Sequence, residues 1–211
     1  QVCYRLNYFL RNRLIGKKVK KKTLPNFSSI VWENEFNYEN SSLEKDNSFV
    51  FLNLSHSFSD KIDWNYNRFG KLWTYNLNYF DFLNQENISK ETGIILIKDY
   101  IKNDNLILDG KEPYPISLRG INWVKFLSKN KVNEEFIDNN LYNHYYILLK
   151  NIEYHLLGNH LLENAFSLLF GAFYFQDEKL YNKSKKILTS ELNEQILEDG
   201  GHFELSPMYH Q

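Results

Sequence analysis

From Leu72 to Leu197 apolar residues recur at helical spacing, interrupted only by short polar breaks. This pattern constrains the chain more than any other feature. Leu72, Trp73, Tyr75, Leu77, Tyr79, Phe80 and Leu83 form one broad aromatic face, and Ile94, Ile95, Ile97, Tyr100 and Ile101 form a second. Pro113-Tyr114-Pro115 breaks the chain, and Ser117 then reads as the N-cap of a helix running to about Lys129. Leu141 to Leu157 reads as another helix, with Gly158 as its C-cap and His155 as a structural residue within it. His160 to Phe175 is apolar on several faces and predicts deep burial, whereas Glu178 to Leu197 is amphipathic with its lysines outward. Consecutive helices joined by short turns pack antiparallel, so the expected fold is all-α, built of helical hairpins in a bundle or a closed ring. Strand is expected only at Phe49 to Leu54, and residues 55–70 read as loop.

The ends read differently. Residues 1–15 have the spacing of a short amphipathic helix, and residues 17–48 are polar and irregular. The chain begins at Gln1 without an initiator Met and reads as a fragment clipped at both ends. Lys and Arg (25) nearly balance Asp and Glu (26), so whole-chain charge makes no case for nucleic acid, and the basic run Lys17 to Lys22 reads as a solvated loop. One cysteine, Cys3, excludes an internal disulfide framework and a cysteine metal site. No stretch is long and apolar enough to span a membrane, and no signal peptide is visible. Aromatic residues make up 17% of the chain, enough both to fill a core and to leave stacking platforms for sugars.

Two strings carry residue orders that core packing does not require. One is Gly158-Asn159-His160-Leu161-Leu162-Glu163-Asn164. The other is Asp199-Gly200-Gly201-His202-Phe203-Glu204-Leu205-Ser206-Pro207-Met208-Tyr209-His210. Asn159 is a donor suited to a carboxylate, or simply a helix N-cap. Tyr209 lies in the first turn of a helix that Ser206-Pro207 would start. Arg119 and Trp123 are four apart and share a helix face. They fit a carboxylate clamp with a sugar-stacking ring, and equally a core Trp beside an Arg paired with an acid. Glu163 and Glu204 are placed to orient Asn159 or Tyr209, or to bind sugar. The spacing of His155, His160 and Glu163 matches no specific zinc signature, so neither a metal nor another cofactor is expected.

With Leu72-Trp73-Thr74-Tyr75-Asn76-Leu77-Asn78-Tyr79-Phe80 and Pro115-Ile116-Ser117-Leu118-Arg119-Gly120-Ile121-Asn122-Trp123, these strings resemble the heparinase II/III family of polysaccharide lyases. The likeness runs from about Phe49, and Gln1 to Leu14 resembles the start of members found in bacterial surface-polysaccharide clusters. The resemblance implies an incomplete (α/α) toroid. Residues 1–48 would form an N-terminal helix and irregular segment. Residues 49–211 would be the N-terminal part of the toroid, truncated before the usual β-sandwich. It implies β-elimination on an acidic, uronate-containing polysaccharide, with Asn159 neutralising the carboxylate and Tyr209 as proton donor or base. Arg119, Asn122, Trp123, His160, Glu204 and His210 would line the substrate cleft. A further His from a later part of the chain completes the family's site, so the fragment alone is expected to be inactive. The family analogy places the protein in the periplasm or outside the cell, with the cytoplasm as the alternative. Two rivals stand beside the lyase: a glycan-binding or assembly factor that kept the toroid without the chemistry, and a toroid glycoside hydrolase using two carboxylates.

Overall fold

The computed structural model describes residues 30–31, 41–44, 47–156 and 158–203. The expected N-terminal helix, and the site residues Glu204, Tyr209 and His210, lie outside the described residues. Within them the chain is predominantly helical. A hairpin of β1 (Ser48–Phe51) and β2 (Leu54–Ser57) is followed by α1 (Lys71–Tyr79), α2 (Lys90–Lys102), α3 (Pro113–Lys129), α4 (Glu135–Lys150), α5 (Gly158–Phe175) and α6 (Glu178–Gln195). The second strand falls where a loop was expected. The hairpin turns at Leu52 and Asn53, both in the left-handed region, and Phe49 and Phe51 point from β1 into the core.

Three helix boundaries differ from the sequence expectation, each for a local reason. The first long helix stops at Tyr79 because Phe80 adopts φ 61°, and a short 3-10 turn, Asp81–Asn84, follows. Pro113 and Pro115 do not break the chain but sit in the first turn of α3. There a missing N–H costs nothing, since the first turn has no intrahelical acceptor to serve. Ser117 is therefore inside the helix, and its hydroxyl donates to Pro113 O at 2.9 Å. Finally, α4 ends at Lys150, not Leu157. Asn151 Nδ2 donates back to Ile147 O at 2.7 Å, and the chain leaves the helix. His155 thus lies in a connection rather than mid-helix, and Gly158, at φ 54°, opens α5 instead of capping α4.

The core is aromatic. Phe80 stacks on Trp64 at 5.0 Å between ring centroids and meets Tyr100 and Trp123 edge-on at 5.1 and 5.4 Å. All four rings are buried. Such edge-to-face packing adds roughly 0.5–1.5 kcal/mol per pair beyond area burial.

The helices pack in a definite order. α5 and α6 are joined by only Gln176 and Asp177, which makes them an antiparallel hairpin, and the Asp177 side chain caps α6 by accepting from the N–H groups of Lys179 and Leu180. α3 and α5 run side by side in the same direction. Tyr114 meets His160, Ser117 meets Asn164, and Gly120 faces Ser167, so contacts advance together along both helices. Close approach depends on small residues. A Cβ on Gly171 would lie 2.8 Å from ring atoms of Tyr145, leaving no room for any side chain there. The amino termini of α3 and α5 therefore share one end of the molecule.

Asp138 on α4 is a buried carboxylate. Tyr174 Oη donates to its Oδ1 at 2.9 Å, while its Oδ2 has no partner among the described residues. Burial, opposed by the Tyr174 bond, pushes this carboxyl up to about 6 from its ordinary 3.8. The folded state thus holds a proton that the unfolded chain releases earlier. The stability gained from that proton is complete below the unfolded value and is lost as pH rises through about 6. Relative to Asp138→Asn, the wild type should lose up to about 3 kcal/mol of stability between about pH 4 and pH 7. Urea unfolding of both proteins across that range checks this; a constant difference would show an unperturbed carboxyl.

Candidate functional site

At the shared end of α3 and α5 a row of partly exposed rings crosses three helices. Tyr75 and Tyr79 project from α1 with centroids 6.2 Å apart, Tyr79 lies 6.0 Å from Tyr114 of α3, and Tyr114 lies 4.5 Å from His160 of α5. The row continues into a cavity of about 410 Å³ that Tyr79 also lines, together with Asp81, Asn122, Lys125, Glu163 and Phe166.

The row is held by polar side chains from below. His160 Nδ1 lies 3.4 Å from Glu153 Oε2, with about a third of the imidazole exposed and the carboxylate almost entirely enclosed. Asn164 fixes Glu153 from two sides: its Nδ2 donates to Glu153 Oε2 at 3.0 Å, and its Oδ1 accepts from the Glu153 backbone N–H at 2.8 Å. Asn164 Nδ2 also reaches Ser117 Oγ at 3.1 Å, so one buried amide ties α5, α3 and the 151–157 connection together. At the other end of the row, Tyr75 Oη donates to Glu112 Oε2, and Lys71 Nζ lies 2.7 Å from Glu112 Oε1. Burial, reinforced by Glu112, raises the Tyr75 phenol, and burial with neighbouring Tyr114 raises that of Tyr79. Both phenols therefore stay protonated at neutral pH, which suits them to donate a hydrogen bond and not to serve as bases.

Asn159 stands one residue before His160 in the first turn of α5 and is partly exposed. Its side chain makes no hydrogen bond among the described residues. It is not tied down as a cap, in contrast to Asn164 in the same string.

Arg119 and Trp123 take interior positions, which corrects the expectation that they line the cleft. Both are fully buried. Arg119 Nη1 donates to Asn78 O at 3.1 Å and Gly110 O at 2.9 Å, and its guanidinium lies 4.6 Å from the centre of the Tyr100 ring. The alternative expectation, an ion pair with an acid, also fails, since backbone carbonyls take the place of a carboxylate. Trp123 packs against Phe80, Tyr100 and His144. Asn122, 7% exposed, borders the cavity, but both ends of its amide are engaged: Oδ1 accepts from Asn84 Nδ2 at 3.1 Å and Nδ2 donates to Tyr79 O at 2.9 Å. Arg119 and Asn122 thus satisfy the last carbonyls of α1, which a helix end leaves without intrahelical partners, and so fix where Tyr79 stands.

Sequence reasoning missed Glu153, Tyr114 and the positioning role of Asn164. The helical pattern runs unbroken through residue 153 and hides the turn. Asn151, a residue prone to bond its own backbone, was the available signal.

His202 is buried, with Nε2 3.1 Å from Gln195 Oε1; Gln195 Nε2 in turn donates to Gly158 O at 3.2 Å. The turn through Gly200, at φ 84°, therefore brings the chain back beside the start of α5.

No helix among the described residues is long and apolar enough to cross a membrane, and no cluster of three metal-ligating side chains occurs among them. A row of partly exposed rings flanked by a carboxylate-oriented imidazole is suited to holding a sugar chain and moving a proton. Residues 116–211, somewhat under half of the chain, match the family model described as the heparinase II/III N-terminus, which supports reading this part as an N-terminal region of that family. No curated protein and no solved structure matches the chain.

Proposed function

We propose that the protein is a polysaccharide lyase that cleaves an acidic, uronate-containing glycan by β-elimination. We further propose that α3 to α6 are two hairpins of an (α/α) toroid whose inner helices are α3 and α5. The observation that carries this reading is the common end of those parallel helices, where Tyr114 meets His160 beside Asn159, the latter two inside the stretch that matches the heparinase II/III N-terminus. Parallel alternate helices, each followed by an antiparallel return helix, are the repeating unit such a ring requires. The N-terminal part of a toroid, residues 49–211, is the domain assignment that follows.

The chemistry assigns roles by residue type. The C5 proton of a uronate is weakly acidic, and its removal drives charge onto the adjacent carboxylate. The Asn159 amide donates to that carboxylate without titrating, and donors aimed at developing charge are worth most in a partly desolvated site. Tyr209 protonates the leaving O4, and in a syn elimination it also takes the C5 proton. The C5–H and C4–O4 bonds break, the C4–C5 double bond forms, and the proton ends on the departing hydroxyl. His160, oriented by Glu153, and the Tyr79–Tyr114 row hold the sugar. Glu204 and His210, flanking Tyr209 in sequence, complete the substrate contacts in this reading.

The test is ultraviolet absorbance of the unsaturated uronate, measured with the intact protein on a panel of uronate polysaccharides. New absorbance on at least one polymer is expected. Reducing ends without absorbance would instead indicate hydrolysis. That second reading draws on Asp81 and Glu163, which line one cavity and are both pushed up by burial, Glu163 against the pull of Lys125. Binding with neither product would make the protein a glycan-binding or assembly factor.

A further inference from the structure

On the flank formed by α4 and α6 a groove of about 480 Å³ runs between the two helices, sharing no lining residue with the ring row. Tyr146, Leu149 and Lys150 form one wall, and Lys179, Asn182, Lys183 and Lys186 form the other. Lys179, Lys183 and Lys186 follow helical spacing on one face of α6, so their charges stand side by side. Lys71, Lys98 and Lys111 each pair with a carboxylate, but none of the four groove lysines makes an ion pair among the described residues. Instead, Lys179 Nζ lies 5.7 Å from the Tyr146 ring centre and Lys183 Nζ 5.0 Å from that of Tyr154. The nearby Asp177 carboxylate does not neutralise them. It accepts from the Tyr142 and Tyr146 hydroxyls at 2.6 and 2.9 Å and from two backbone N–H groups.

We propose that this lysine groove is a second binding site, lined by none of the residues of the ring row, for the chain of an acidic polysaccharide. Four like charges crowded on a protein of net charge −1 repel one another, and the two ring contacts leave that repulsion uncompensated by any carboxylate among the described residues, which an anionic ligand would reverse. Lys179 and Lys186 are about 10 Å apart along the α6 axis. The cations are therefore strung out, which suits a polymer with a charge on every repeat rather than one small anion. Leu149 and the lysine stems give an apolar wall for a sugar face. A nucleic acid is disfavoured because the groove offers neither guanidinium groups nor an open ring on which a base could stack. The choice of polysaccharide rests on the proposed lyase reading; the anion site itself does not.

The two ideas separate experimentally. End-labelled oligomers of a polyuronate are titrated against wild type, Lys179→Ala/Lys183→Gln/Lys186→Ala, and Asn159→Ala. The triple variant should weaken binding of long oligomers by roughly tenfold or more, with a shallower salt dependence, while leaving turnover of the shortest cleavable oligomer and thermal unfolding unchanged. Asn159→Ala should retain long-oligomer binding. Unaltered affinity and salt dependence in the triple variant would overturn the site. Preferential displacement of the oligomer by single-stranded DNA, lost in the triple variant, would overturn its assignment to a glycan. Lysine-dependent binding without any unsaturated product would sink the lyase reading and leave this one standing.

Discussion

Replacing Asn159 with alanine is expected to lower kcat by roughly 10²–10³-fold, the usual cost of removing one donor aimed at developing negative charge. The same change should leave thermal unfolding nearly untouched. Its side chain is partly exposed and makes no hydrogen bond among the described residues, so it contributes little to folding. KM should change less than kcat, because the charge Asn159 faces is larger in the transition state than in the bound substrate. Tyr209→Phe provides the companion measurement. If the two residues act in one elimination, the double variant should be little worse than the poorer single variant. Full lyase activity in Asn159→Ala would remove the central assignment, as would a fall in stability large enough to account for the lost rate.

Arg119→Ala is expected to have the largest effect on stability, a loss of about 3–5 kcal/mol in urea unfolding. The change opens a cavity beneath Tyr100 and strips the carbonyls of Asn78 and Gly110 of a donor that no water can readily replace. Arg119→Met fills most of the volume without the donors. It should cost only about 1–3 kcal/mol, because Nε and Nη2 of the native side chain have no hydrogen-bond partners among the described residues. An Arg119→Ala protein of native stability but impaired substrate affinity would return this residue to the cleft.

These two residues show what the sequence could and could not reveal. Helical spacing found the helices from α1 onward because each buries a continuous apolar stripe, and that stripe leaves its period in the sequence. Spacing also placed Arg119 and Trp123 correctly on one face of α3. It could not say whether that face met the core or a groove, since aromatic residues line both. The partner that settles the matter, the end of α1, lies some forty residues away in sequence. Glu153 was hidden for a different reason. Its setting is a connection whose residues continue the apolar rhythm of α4, and only the backbone-seeking Asn151 marks the exit. Asn159 and Asn164 share one short string, yet one is left open and the other is buried with three hydrogen bonds to Glu153 and Ser117. The string alone named both residues without separating their tasks.

The in-step contacts of α3 and α5 limit how this chain can vary in length. A residue added at 154–156 can be absorbed, because the Glu153–Asn164 tie lies before it. A residue added inside the first turn of α5 cannot. It would rotate everything upstream by about 100° relative to Ser117 and Ser167, swinging the Asn159–His160 pair off the ring row while the rest of the helix stayed seated. Natural or engineered length changes should therefore collect before Gly158 and be rare between it and Asn164.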